Sequence, residues 1–423
     1  MNITDETVDF IRLHRLDDVR QLALKGNRNP KVDLSFALDQ IQGWQTARKK
    51  LPTWATTEGV VYPPHLNMEQ CSSEATARYK GRYFSLSGLC HQATLFDLTG
   101  GFGVDFSLMS GYFAHAVYVE RNPELAEVAT YNFRMLGLHN VESVNADGVD
   151  YLLQHIPLKS SRNDDVADTV VYLDPARRNT TGQKVFRIED CTPCLLAIRN
   201  DLLQRADVVM IKFSPMLDWH EAVRQLLSDL PTEACLPSCE VHIISVKNEC
   251  KELLIILATH RQHCKRPTKI VCVNDNSIFE TDDTPTAPLL TEDDAFSESS
   301  CYLFVPNASV MKAGVFGQLS KTLGITMLDH DSHIYISSHD LPAFPGRRFK
   351  VNDIATMNKR ELHQKLRDIT QANVSVRNFP LTAEELRKRL KLKDGGQTYL
   401  FATTFKGRHL IFIATANLTS ANN

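Results

Sequence analysis

The residues that could do chemistry begin with Asp97-Leu-Thr-Gly-Gly-Phe-Gly103, a glycine cluster that follows a short apolar run. Glycines in this place turn a strand into a helix where a side chain would collide with a ligand lying across the strand end. Glu120 closes the next apolar run, 23 residues after Asp97. A carboxylate at that distance suits hydrogen bonds from ribose hydroxyls. A dinucleotide enzyme would more often carry a third glycine where Asp105 or Phe106 stands, so Asp-x-x-x-Gly-x-Gly fits S-adenosylmethionine better. After the third apolar run, Asp147 is expected to accept from the adenine amino group, with Ala146 and Gly148 along the ring. Asp147 could cap the next helix at the same time. The expected cofactor contacts are therefore Asp97, Thr99, Gly101, Gly103, Glu120, Arg121, Asp147 and Gly148.

The fourth run ends in Asp174-Pro175-Ala176-Arg177-Arg178-Asn179. An Asp followed by a prolyl carbonyl can hold an exocyclic amine with its lone pair facing a sulfonium methyl. Methyl transfer is a direct displacement, so alignment and proximity supply most of its rate. Asp174, Pro175 and Arg177 are the expected catalytic residues, and Arg178 suits a phosphate. A simpler reading of this stretch is a proline turn with exposed arginines. Lys212, at the end of the fifth run, and the hairpin tip Asn248-Glu249 border the same edge as expected substrate contacts. A hairpin tip is more commonly only a charged turn.

These residues need a scaffold that aligns strand ends. Apolar runs at Thr94–Leu98, Ala116–Glu120, Val141–Asn145, Thr169–Asp174, Asp207–Phe213, Glu240–Val246 and Glu252–Leu257 predict seven strands. Helices are expected to start near Val104, Pro123, Gly148, Glu189 and Leu217. Apolar strands separated by helices indicate a parallel sheet covered on both faces. The last two runs are joined too closely for a helical crossover and should pair as an antiparallel hairpin. The expected fold class is α/β, a Rossmann-like sheet of the class I methyltransferase kind, over residues 67–262. Residues 1–66 read as a helical region, with Thr4 an N-cap, a helix from Val32 to Lys50, and a Pro- and Thr-rich linker from Leu51 to Leu66. Residues 263–423 read as an α+β region. An acidic loop or hairpin tip is expected from Glu280 to Glu298, and a capping box at Thr382 and Glu385 opens a helix ending near Gly395-Gly396. A hairpin about Lys406-Gly407 follows.

Composition narrows the class. Hydrophobic content of 43% and charged content of 23% are ordinary for a globular protein, and 423 residues suggest two or three domains. No apolar run approaches the ~18 residues of a membrane span, and Met1 to Glu6 does not resemble a signal peptide. The expectation is a cytoplasmic protein without a membrane partner. Cys191 with Cys194, and Cys235 with Cys239, could offer four thiolates to zinc. Pro237 divides the second pair and thiols are common buried residues, so no metal is expected. The net charge is −3, but from Phe344 to His409 fifteen lysines and arginines, Arg347 and Arg348 first among them, face six acids. Such asymmetry suggests a polyanionic partner, with Arg347 and Arg348 as substrate contacts. Solvated helix faces are the plainer alternative.

The central segment resembles class I S-adenosylmethionine-dependent methyltransferases, including RNA methyltransferases that modify guanine amino groups. The whole chain resembles a bacterial family of THUMP-like-domain methyltransferases. That resemblance lies in Glu69-Gln-Cys-Ser-Ser-Glu74, Asp97 to Gly103, Asp174 to Arg178, Asn248 to Glu252, Val305-Pro-Asn-Ala308, Phe344 to Phe349, and Arg377-Asn-Phe-Pro380 through Thr404. It implies cofactor binding by Asp97, Gly101, Gly103, Glu120 and Asp147, and RNA (tRNA or rRNA) as substrate, since THUMP domains bind structured RNA. The sequence departs from amino-methyltransferases at Ala176 and Arg177, where those enzymes carry a second proline and a stacking aromatic. An inactive cofactor-binding protein, or a methyltransferase for a small molecule or protein, therefore stays open.

Overall fold

All five residues of Thr169–Leu173 and all six of Val208–Phe213 are buried, the burial expected of strands covered on both faces. The computed structural model describes residues 3–26, 29–87, 92–162, 168–176, 188–230, 236–259, 267–292 and 301–416. They fall into two units, Met1–Val241 with Lys251–Arg266, and His242–Cys250 with Pro267–Asn423.

In the first unit six helices precede the strands: α1 (Asp5–His14), α2 (Val19–Lys25), α3 (Leu34–Lys50), α4 (Pro52–Thr56), α5 (His65–Gln70) and α6 (Glu74–Ser87). Strands β1 (Thr94–Asp97), β2 (His115–Glu120), β3 (Val141–Asn145), β4 (Thr169–Leu173) and β5 (Val208–Phe213) then alternate with α7 (Val104–Ser110), α8 (Pro123–Met135), α9 (Gly148–His155) and α10 (Leu195–Arg205). Helix α11 (Trp219–Leu227) leads to β6 (Ser238–Val246) and β7 (Glu249–Ala258). The strand order is β3-β2-β1-β4-β5-β7-β6. The first five pair in parallel and β7 lies antiparallel to β5. The hairpin from β6 to β7 turns on Lys247 and Asn248, at φ 51 and 60°, as a two-residue turn requires. Helix α10 starts later than expected, because a 3-10 turn at Ile188–Asp190 and then Pro193 come first.

Residues 51–66 are not the linker that their Pro and Thr content suggests. Leu51, Trp54, Val61 and Tyr62 are buried, and these apolar side chains outweigh the turn-forming residues between them. Trp54 packs its ring against Phe102 of the glycine loop, 4.8 Å between centroids. Two side-chain amides satisfy the extended backbone that this burial takes out of water. Gln40 donates to the Tyr62 carbonyl (2.9 Å) and accepts from its N–H (2.8 Å). Asn132 of α8 does the same for Val61 at 2.7 and 2.8 Å.

The second unit holds the antiparallel pair β8 (Lys269–Asn274) and β9 (Ser277–Asp282). Pairing of Glu280 with Val271 draws the start of the expected acidic loop into β9. Helices α12 (Ala308–Ala313) and α13 (Phe316–Leu323) follow β10 (Tyr302–Pro306). Then come β11 (Thr326–Met327), β12 (Tyr335–Ser337), β13 (Gly346–Thr356), α14 (Lys359–Lys365), β14 (Asn373–Arg377), α15 (Ala383–Leu390), β15 (Thr398–Phe405) and β16 (Arg408–Ala416). They form a sheet in the order β11-β12-β10-β13-β16-β15-β14. One apolar cluster centres on Leu303, Phe349, Phe401 and Phe412, and another holds Leu362 and Leu386 of α14 and α15. The capping box of Thr382 and Glu385 forms as its spacing predicts, but α15 stops at Lys391 in the left-handed conformation, short of the glycines. No described helix is long and apolar enough to cross a membrane.

Asn132→Ala strips two buried backbone groups of their partners, which costs about 2–4 kcal/mol. Urea denaturation of the variant should show that loss; a change below about 0.5 kcal/mol would mean that water replaces the amide.

Candidate active site

The parallel register brings the carboxyl ends of β1, β2, β3 and β4 to one edge, which is where open α/β sheets bind ligands. Asp97 ends β1 and is 1% exposed. Its Oδ1 accepts from the Thr99 N–H at 3.0 Å. Burial, joined by the charges of Asp105, Asp174 and Glu120, holds the Asp97 carboxyl well above the usual carboxylate range. Glu120, at the end of β2, is fixed by two backbone donors: Gly101 N–H to Oε2 (2.8 Å) and Asn122 N–H to Oε1 (2.7 Å). Each oxygen keeps a second acceptor direction, which fits a vicinal diol. Arg121 beside it is exposed. Asp147 is the N-cap of α9, accepting from Val149 N–H at 2.8 Å, and remains exposed.

The glycines answer to the protein itself as much as to a ligand. A Cβ on Gly103 (φ 81°) would lie 2.6 Å from the Phe133 ring, and one on Gly148 would lie 2.0 Å from the Leu98 carbonyl oxygen. The Tyr118 hydroxyl donates to the Gly101 carbonyl and so ties the loop to β2. The residues that end the strands thus fit S-adenosylmethionine: a carboxylate fixed for ribose, a buried carboxyl for a cation, and a further acceptor at Asp147.

Asp174 follows β4, and a third of its side chain is exposed. Its backbone N–H donates to Thr99 Oγ1 at 2.6 Å, which pins it to the glycine loop. Its Oδ2 lies 2.5 Å from the Lys212 Nζ. Lys212, expected to reach substrate, is instead buried and committed to the protein, with Ser72 Oγ at 3.0 Å and Asp105 Oδ2 at 3.5 Å. Burial would lower the Lys212 ammonium, but Asp174, Asp105 and Glu252 overcome it and raise it above its ordinary value. Pro175 is buried, and Ala176 exchanges backbone hydrogen bonds with Thr192 (2.8 and 3.1 Å). Arg177 and Arg178 lie outside the described residues.

Beneath Asp174 lies a charged cluster that the sequence reading missed. Asp105, in the first turn of α7, accepts from the hydroxyls of Ser72 and Tyr172 on Oδ2, each at 2.7 Å, while Oδ1 pairs with Lys80 Nζ at 2.9 Å. Lys80 is 0% exposed and also pairs with Glu252, which accepts from Thr76 Oγ1 at 2.7 Å. Burial would raise the Asp105 carboxyl, but Lys80 and Lys212 outweigh it and hold the group below its usual range. The signals lay in segments with a conspicuous composition, Glu69 to Glu74 and Asn248 to Glu252, but a buried Lys80 leaves no trace in periodicity.

The remaining expected substrate contacts belong to the second unit. Glu249 is exposed. Arg348 is ion-paired with Asp340 at 2.5 Å, leaving 9% of its side chain exposed. Asn248 and Arg347 come together around one pocket. No group of three or more His, Cys, Asp or Glu that could hold a metal occurs among the described residues, and Cys235 lies outside them.

Residues 346–416 match the model of a family described as THUMP domain-like, and residues 302–345 that of a ferredoxin-like domain. Among curated proteins none matches the chain. The crystal structure of a presumptive methyltransferase from Porphyromonas gingivalis W83 is similar over 99% of this chain and 100% of its own, with 28% identity and a TM-score of 0.78. An rRNA methylase from Streptococcus thermophilus shares 12% identity over 43% of this chain and 95% of its own, at a TM-score of 0.31. A likeness so distant carries no argument about substrate.

Two outcomes follow from the electrostatics. Lys80→Met leaves two buried carboxylates short of a cation and should cost about 3–5 kcal/mol. Adding Glu252→Gln should recover part of that loss; urea curves in which the double variant is the less stable one would contradict the pairing. Asp97 has a raised folded pKa, so its stability cost is absent below the unfolded value near about 4 and grows as pH rises above it. Asp97→Asn should therefore raise the thermal midpoint of the ligand-free protein at pH 7, with the gain fading towards pH 4. A lower midpoint at pH 7 would count against a strained carboxyl.

Proposed function

We propose that this chain, a class I methyltransferase with a C-terminal THUMP-like domain, transfers the methyl group of S-adenosylmethionine to RNA, on an exocyclic amino group of a purine in tRNA or rRNA. The observation that carries the reading is the hydrogen bond from the Asp174 N–H to Thr99 Oγ1, because it ties the residue that bears the acceptor-side carboxylate to the glycine loop. The bound cofactor supplies a methyl carbon made electrophilic by its sulfonium. Glu120 accepts the ribose hydroxyls, Asp97 faces the cationic end, and Asp147 takes the adenine amino group. Asp174, oriented on Lys212, accepts one N–H of the target amine and leaves the nitrogen lone pair free to attack. Once methylated, the target nitrogen would give up its surplus proton to Asp174 or to water. Positioning provides the acceleration, as expected for a displacement that needs no strong base.

The THUMP-like segment and its excess of cations support RNA as the acceptor. Part of that excess is neutralised internally: Lys365 pairs with Asp353, Arg387 with Asp394 and Lys388 with Glu384. The bridge between Ala176 and Thr192, in the place where amino-methyltransferases have a second proline, favours a second reading, a protein that binds cofactor and RNA without catalysis.

Glu120→Ala should weaken S-adenosylmethionine binding at least about tenfold by isothermal titration, the loss of a charge-assisted contact. Asp174→Asn should keep the affinity and lower kcat by about a hundredfold or more. Nucleoside mass spectrometry on RNA from a deletion strain should lack one methylated nucleoside, restored by the wild-type chain and not by Asp174→Asn. Unchanged RNA together with Glu120-dependent cofactor binding would transfer the case to the non-catalytic reading.

A further inference from the structure

We infer that the second unit carries an anion site of its own, shaped for the phosphate of a nucleotide-sized ligand. The site is a pocket of about 320 Å³ lined by Asn248, Asn307, Arg347 and Arg377, with Val305 and Met311 among its apolar walls. That volume lies at the lower end of the range for small-molecule sites. No acidic residue lines it among the described residues.

Each polar side chain at the pocket has a donor to offer. Asn248 stands at the hairpin turn with φ 60°, and its Oδ1 accepts from the Ala308 N–H at 2.8 Å. Asn307 is 5% exposed, and its Oδ1 accepts from Val310 N–H (3.1 Å) and the Ser309 hydroxyl (2.7 Å). With both carbonyl oxygens engaged, the amide N–H groups are what these side chains have left to give. Arg347, opposite Val305 in the β10–β13 pairing, holds its guanidinium 5.5 Å above the Phe349 ring. Its neighbour Arg348 takes the nearby carboxylate of Asp340. Neither Arg347 nor Arg377 has a carboxylate partner among the described residues.

Two like charges turned into one walled pocket repel each other unless an anion joins them. Guanidinium forks with amide donors beside them match phosphate oxygens, and the apolar wall gives a sugar or base a surface to lie on. The basic composition of the region is thereby resolved into a place. This inference stands whether or not the first unit methylates RNA, because it concerns binding by the second unit alone.

The test is isothermal titration of the full chain, saturated with S-adenosylmethionine so that adenosine cannot bind in the first unit, with AMP, adenosine and a short 5′-phosphorylated oligoribonucleotide. AMP should bind at least tenfold more tightly than adenosine. Arg347→Ala with Arg377→Ala should abolish that difference while leaving S-adenosylmethionine binding unchanged. Preference for the oligonucleotide over AMP identifies an RNA end as the source of the phosphate, and preference for AMP identifies a free nucleotide; either supports the site. Equal binding of AMP and adenosine, or no binding of any probe, overturns it, and this wild-type comparison decides even where the double variant does not fold. Arg347→Lys with Arg377→Lys keeps the charge and should retain part of the preference.

Discussion

One buried carboxylate organises the centre of the first unit. Asp105 receives hydroxyls from Ser72 and Tyr172 and ammonium groups from Lys80 and Lys212. Those partners come from the segment before α6, from β4, from α6 itself and from β5. Removing such charges from water is costly, and the cost is recovered only when every group finds its counterpart in good geometry. The cluster therefore admits one arrangement of four elements. Asp174 is its only member with substantial exposure, so the order of the whole cluster is delivered to the edge where the strand ends meet. A hydrophobic substitute could hold the same helices together, but it could not fix the direction of Asp174.

The cofactor half of the edge obeys a different rule. Glu120 is set by backbone amides, Asp147 caps a helix, and the glycine loop is clasped by Tyr118 and by Phe102 on Trp54. These are short-range constraints, written over a few neighbouring residues. Asp97 is the exception. It is buried with no cation beside it among the described residues and with three other carboxylates near, so its ionised form opposes folding. A cationic ligand would relieve that opposition, because it would favour the ionised form that burial disfavours.

This division explains what could be read from the chain. Each of the seven strands lies within three residues of its expected place; β4 and β5 are the plainest, because strands buried on both faces declare themselves by apolar runs. The places of the loop, Glu120 and Asp147 in the fold were legible for a similar reason: strand ends and caps are local. Lys212 was noticed, but its direction was not, since nothing between residues 105 and 212 announces that their side chains meet. Lys80 was invisible, because a lysine in a helix reads as solvated until its partners are known. The linker reading of residues 51–66 failed on the opposite ground. Pro and Thr were weighed by their local preference, while Trp54, Val61 and Tyr62 were recruited by a surface far along the chain.

The same contrast separates the two arginines at the start of β13. Arg347 and Arg348 are adjacent and of one type, so sequence assigns them one role. Alternation along a strand sends them to opposite faces. Arg348 meets Asp340 and becomes part of the scaffold, whereas Arg347 is left without an acid at the rim of the donor-lined pocket. A count of basic residues therefore overstates the surface available to a polyanion. What matters is which cations the fold declines to neutralise, and the pocket is lined by two of those among the described residues.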